Sequence, residues 1–113
     1  YKAIFSGYIT SNDVSSLKPD PEAYLLALKK SGSHFENSIV IEDSINGLES
    51  AKSANLKCII TMSPWLMNYD NSYDKADLVV DHLGGKTNPS NVLLGVLDSN
   101  YIDAKTLSQI LNQ

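Results

Sequence analysis

Two short apolar runs, one helix apart, constrain this chain most. Ser38-Ile39-Val40-Ile41 and Lys57-Cys58-Ile59-Ile60-Thr61 are nearly unbroken stretches of β-branched and apolar residues. Runs of this kind mark strands covered on both faces, as in a parallel sheet. Between them Ile45, Leu48 and Ala51, with Leu56 beyond, recur at helical spacing and predict a helix starting near Ser44. Asn55 suits a left-handed stop at its end. A further helix is expected upstream, with Asp20 as N-cap, Pro21 in the first helical position, and Tyr24, Leu25 and Leu28 on one face. Lys29 and Lys30 fall in its last turn, where the helix dipole favours cations, and Gly32 ends it. Ser33 to Asn37 links it to the first apolar run. Helix, strand, helix, strand with short connections is a parallel α/β arrangement.

The flanks are less regular. Tyr1 to Thr10 reads as a strand centred on Ile4 to Ile9, with Gly7 as a bulge or close approach, and Ser11 to Leu17 as a loop. Met62 to Lys75 reads mostly as loop, with a short helix within it. Ala76 to Val80 reads as a short edge strand and Asp81 to Asn91 as loop. Val92 to Leu97 fits either a helical turn or a strand. Asp103 to Leu111 reads as a terminal helix capped by Asp103, with Leu107, Ile110 and Leu111 apolar.

A length of 113 residues suffices for one domain with a modest core. The formal net charge of −4 disfavours nucleic acid or an anionic membrane surface as the main partner. No apolar run reaches the length of a membrane span and no signal peptide opens the chain, so a reducing, cytoplasmic setting is expected. The single cysteine, Cys58, lies in an apolar run and reads as a small buried hydrophobe.

Chemistry concentrates at two places. The first is Glu42-Asp43, directly after an apolar run and followed by Ser44. Carboxylates just past the carboxyl end of a parallel strand stand where open α/β sheets bind ligands. A pair of them can hold a hard cation such as Mg²⁺, which takes few protein carboxylates, several waters and a substrate phosphate. Asp-Ser can equally be a helix cap, and from the pattern the two readings weigh about the same. Gly47, in the first turn of the helix that follows, costs about 1 kcal/mol relative to Ala and marks close packing or the close approach of a ligand. The second place is Lys18, before Pro19 and Pro21. The prolines stiffen the backbone there, which suits an ammonium held to neutralise a phosphate, although a lone lysine before a helix is more often simply solvated. The α/β unit puts Lys18 and Asp43 at the same end of the sheet, and the joint pattern is more specific than either part. Elsewhere, His34 and His82 lack metal spacing and read as surface residues. Ser6, Ser44 and Ser63 lack a GxSxG context, and there is no GxGxxG or GxxxxGK[ST]. Trp65, Tyr69 and Tyr73 read as packing or half-exposed loop residues.

Lys18-Pro19-Asp20-Pro21-Glu22-Ala23-Tyr24-Leu25-Leu26-Ala27-Leu28, followed by Ile39-Val40-Ile41-Glu42-Asp43-Ser44-Ile45-Asn46-Gly47-Leu48, resembles the haloacid dehalogenase-like superfamily. The resemblance is greatest to the branch holding β-phosphoglucomutase and the CbbY-like sugar-phosphate phosphatases. It runs from Ile9 to Thr61, with a weaker echo in Ala76 to Leu83. It implies a three-layer, Rossmann-like α/β fold, and a Mg²⁺-dependent phosphotransferase acting on a small phosphorylated sugar. Lys18 matches the lysine that offsets charge around an aspartyl nucleophile, and Glu42 and Asp43 match the acidic motif that holds Mg²⁺. The family's Asp-x-Asp nucleophile motif, its phosphoryl-binding Ser/Thr and its cap are not found in these residues. The resemblance therefore implies that residues 1–113 are the C-terminal part of the core domain, motif-bearing over 1–61 and peripheral over 62–113. The missing N-terminal part of the same protein would then be its partner, and the fragment alone would be inactive. Phosphatase is the first reading, with phosphomutase and a non-catalytic binding module as alternatives. A halide-releasing dehalogenase is weaker, because that chemistry needs no metal and leaves the acidic pair without a task. The residues that would contact the substrate are not identified by the sequence.

Overall fold

The structure is a computed structural model that describes residues 4–62 and 69–113. Ser63 and Trp65, and residues 63–68 of the loop expected over Met62 to Lys75, lie outside the described residues. So do Tyr1 to Ala3 of the expected first strand. The described residues form helices α1 (Glu22–Ser31), α2 (Ile45–Ser53) and α3 (Ala104–Leu111), and strands β1 (Ile39–Glu42), β2 (Lys57–Thr61), β3 (Leu78–Val80) and β4 (Val92–Leu94). The strands make one sheet in the order β1-β2-β3-β4. β1, β2 and β3 run parallel, with Val40 opposite Cys58 and Ile60 opposite Val79. β4 returns antiparallel, which settles Val92 to Leu97 as a strand over its first half.

Helices cover both faces of the sheet. The side chains of β2 alternate, so Cys58 and Ile60 pack with Leu48, Ala51 and Val79 on the face under α2, where Tyr24 and Leu28 of α1 join them. Ile59 faces the other way with Leu78, Val80 and Ile110 of α3. This is the three-layer α/β architecture expected, with a partial sheet. Its helix ends follow the local chemistry. Ser44 caps α2 by accepting from the Gly47 N–H, and Asp103 caps α3 by accepting from the Thr106 N–H at 2.8 Å. Gly32 at φ 67° and Asn55 at φ 60° take the left-handed conformation at the stops.

Several expectations are corrected. The segment from Ile4 to Ile9 is not a strand. It is irregular, and Ile4, Phe5 and Tyr8 are exposed. A strand exists only through its ladder, and among the described residues this segment has no neighbour to pair with: a groove of about 970 Å³, lined in part by Gly7, Ile9, Ser38 and Ile41, separates it from β1. β1 is therefore an edge strand, and Ile41 is 48% exposed despite its apolar run. β3 is not an edge, because β4 lies beyond it and all three of its residues are buried. Leu25 is exposed, since it sits about 100° around α1 from the Tyr24–Leu28 stripe. Ile45, in the first turn of α2, is exposed as well. Ser11–Asp13, in the expected loop, forms a single 3-10 turn capped by Thr10. Asn71–Tyr73 supplies the short helical turn expected in the later loop.

Candidate active site

The chain folds Lys18 onto the carboxyl end of β1. The turn Leu17 to Pro21 is closed by the Asp20 N–H donating to the Leu17 carbonyl at 3.1 Å. The Lys18–Pro19 peptide is cis. Asp20 does not cap α1 from the N-cap position, which Pro21 occupies, but its carboxylate accepts the Glu22 N–H at 2.9 Å from one residue further out. The Glu22 carboxylate in turn accepts the Ser15 and Ser16 N–H groups at 2.8 and 2.7 Å. The Asp20 carbonyl accepts from the buried Ser50 hydroxyl of α2 at 2.7 Å. These bonds tie the lysine-bearing turn to both helices, and α2 is itself seated on β2 by Leu48 and Ala51.

The consequence is an ion pair between residues far apart in sequence. The Lys18 ammonium is bonded to Oε1 of Glu42, whose side chain is only 10% exposed. The Tyr24 hydroxyl donates to the same oxygen and accepts from Lys18 Nζ at 3.1 Å. Lys18 Nζ also lies 4.7 Å from the centroid of the Tyr24 ring, within cation–π range. Burial first, and then the Glu42 carboxylate, push the Tyr24 hydroxyl far above the ordinary range of a phenol, so it stays protonated as a donor. Asp43 is exposed beside this cluster, outside every ion pair among the described residues. A smaller cavity of about 380 Å³ opens next to Lys18, with Thr10, Ser11, Ser44 and Asn46 in its wall.

Lys18, Glu42 and Asp43, the residues singled out in the sequence, therefore meet at one end of the sheet. Among the described residues no set of three or more His, Cys, Asp or Glu side chains converges. The two carboxylates still fit a hard divalent ion, which prefers oxygen donors and completes its shell with water and phosphate. Asp43 is the free donor, and the second oxygen of Glu42 points over Gly47, away from Lys18. Sequence reasoning missed Tyr24 as a site residue, because a tyrosine on a core-facing stripe gives no sign that its hydroxyl reaches a carboxylate. Gly47 did carry a signal, its cost in a helix. His34 is exposed, and His82 accepts the Gly84 N–H through Nδ1 in a loop away from β1. Cys58 is buried, and burial pushes its thiol up to about 12, which leaves it inert at neutral pH.

A partial parallel sheet flanked by helices, with acidic side chains at a strand's carboxyl end, is an α/β arrangement of the kind in which ligands bind at that end. The chain belongs to the haloacid dehalogenase-like hydrolase family, whose model matches residues 1–61. It is 36% identical over 87 residues to the CbbY protein of Cereibacter sphaeroides, which covers 74% of this chain and 37% of that one. It is 42% identical over 55 residues to the phosphorylated carbohydrates phosphatase of Thermotoga maritima, covering 49% of this chain and 26% of the relative. Among solved structures it is similar to a CbbY variant from Rhodobacter sphaeroides in complex with xylulose-(1,5)-bisphosphate, with a TM-score of 0.58, 34% identity, and coverage of 67% of this chain and 34% of the other. The chain thus spans well under half the length of these relatives. Among the described residues no helix is long and apolar enough to cross a membrane.

Proposed function

We infer that these residues form the C-terminal part of a Mg²⁺-assisted phosphatase core that acts on a small phosphorylated sugar in the cytoplasm. The observation that carries this reading is the meeting of Lys18 with Glu42 beside the exposed Asp43, at the end of the sheet where α/β folds bind ligands. In this reading Asp43 would hold the cation directly and Glu42 would hold it through water. When bound, Mg²⁺ would offset the charge of the phosphoryl oxygens. Lys18 supplies a second positive charge beside the phosphoryl group and stabilises the charge that builds in transfer. The nucleophile would be an aspartate outside these residues, phosphorylated and then hydrolysed. It would enter with the segment that fills the groove along β1. The wall of the cavity beside Lys18 is mostly apolar, and Thr10, Ser44 and Asn46 supply the polar groups that would meet the hydroxyls of a sugar.

The test is phosphate release by the full-length protein from a set of sugar phosphates, with and without chelator. Chelation is expected to abolish turnover, and Asp43→Asn and Lys18→Ala each to lower kcat by about a hundredfold or more while the protein stays folded. Wild-type turnover in both variants would refute the roles given to these residues.

A further inference from the structure

Gly47 is the one odd residue of α2, and its surroundings explain it. A Cβ built on Gly47 would fall inside the Glu42 carboxylate, against Oε2 and Cδ. The three nearest atoms outside the helix backbone all belong to the Glu42 side chain. Alanine at this position would therefore suit the helix better than glycine does, yet would evict the carboxylate from where it lies. On the opposite side, Oε1 of the same carboxylate takes both the Tyr24 hydroxyl and the Lys18 ammonium. Lys18, Tyr24 and Glu42 close a triangle, in which the phenol donates to the carboxylate and accepts from the ammonium. Each bond in such a ring polarises the next. A phenylalanine would fill the same space and keep its face toward Lys18, so packing alone does not require the hydroxyl.

We propose that Tyr24 and Gly47 are positioning residues that clamp the Glu42 carboxylate from its two sides, fixing the Lys18 ammonium and leaving Asp43 as the exposed carboxylate. This rests on the phosphoryl-transfer reading for its purpose, but the clamp itself is a property of the described residues. Neither residue touches substrate in this scheme, and both act through Glu42 and Lys18.

The experiment compares Tyr24→Phe and Gly47→Ala with the wild-type full-length protein by three measurements: thermal melting, kcat and KM on a phosphate ester, and the ¹H–¹⁵N cross-peak of the Lys18 side-chain ammonium. The cross-peak is assigned by its loss in Lys18→Arg. The wild type is expected to show it, because the bonds to Glu42 and Tyr24 slow exchange with water. Both variants should lose it. Both should lower kcat by about tenfold to a hundredfold with KM unchanged, as expected for a displaced charge. Gly47→Ala should stay folded with a cooperative melt, because the atoms nearest the added Cβ belong to the Glu42 side chain and not to backbone. If Gly47→Ala keeps both the cross-peak and kcat, the carboxylate does not depend on the space over this glycine and the role given to Gly47 is overturned. A Tyr24→Phe variant that keeps both the cross-peak and kcat overturns the role of the hydroxyl. Should the wild-type protein release phosphate from no ester, the proposed function fails, and the cross-peak still decides the clamp.

Discussion

Asp77 shows how one carboxylate joins three elements. It stands just before β3, yet it accepts the Cys58 N–H of β2 at 2.8 Å, bonds the Lys52 ammonium of α2, and lies 3.5 Å from the Lys57 ammonium. Burial works against its ionised form, but Lys52, the Cys58 N–H and Lys57 outweigh burial and hold the carboxyl below the ordinary carboxylate value. A carboxyl with a depressed folded-state value contributes stability above its unfolded value of about 3.9, and that contribution is lost as pH falls through the folded value. Asp77→Asn is therefore expected to destabilise the chain by about 1–3 kcal/mol at neutral pH, since it removes a charged acceptor from half-buried donors. In urea denaturation the gap between wild type and variant should narrow as pH drops below about 4. A gap that stays constant down to acid pH would mean that the Asp77 charge is not the source.

At the scale of elements, α2 is the part that assembles the site. Its first turn caps on Ser44 and makes room for Glu42, its middle anchors on β2 through Leu48 and Ala51, and Ser50 reaches the Lys18 turn. Ser50 is fully buried, and its hydroxyl donates to the Asp20 carbonyl. Ser50→Ala should cost about 1 kcal/mol, because it removes the buried donor of a part-buried hydrogen bond to that carbonyl. The loss should be accompanied by faster amide exchange at Asp20, whose N–H closes the Lys18 turn. Unchanged stability and exchange would show that the turn is held by its prolines alone. The sequence made α1, α2, β1 and β2 legible, because each has a period or run long enough to read and a stop of definite chemistry, Gly32 or Asn55. It misjudged Leu25 and Ile45, since periodicity gives a stripe but not how far the opposing layer extends.

For the whole molecule, the open edge of β1 dominates. An edge strand with free backbone groups, beside a groove and the exposed Ile4, Phe5, Tyr8 and Ile41, is a surface that soluble proteins ordinarily cover. Residues 1–113 prepared by themselves are expected to bind a hydrophobic dye such as ANS and to associate as concentration rises, which light scattering would follow. A monomer at all concentrations with no dye enhancement would contradict this. The same geometry explains the failed strand at Ile4 to Ile9. Its residues have the right composition, but composition cannot supply a neighbour, and the space toward β1 is a groove rather than a sheet.

What the sequence determined by itself is local. Apolar runs, caps and stops gave the parallel α/β order, and Lys18, Glu42 and Asp43 could be named because their positions relative to those elements bring them to one end of the sheet. Tertiary structure alone decided which strands are edges, which apolar residues face a partner layer, and that a tyrosine hydroxyl and a missing Cβ share the Glu42 carboxylate. Those outcomes depend on contacts between residues far apart in the chain, and neither spacing nor composition encodes the distance between two side chains from different elements.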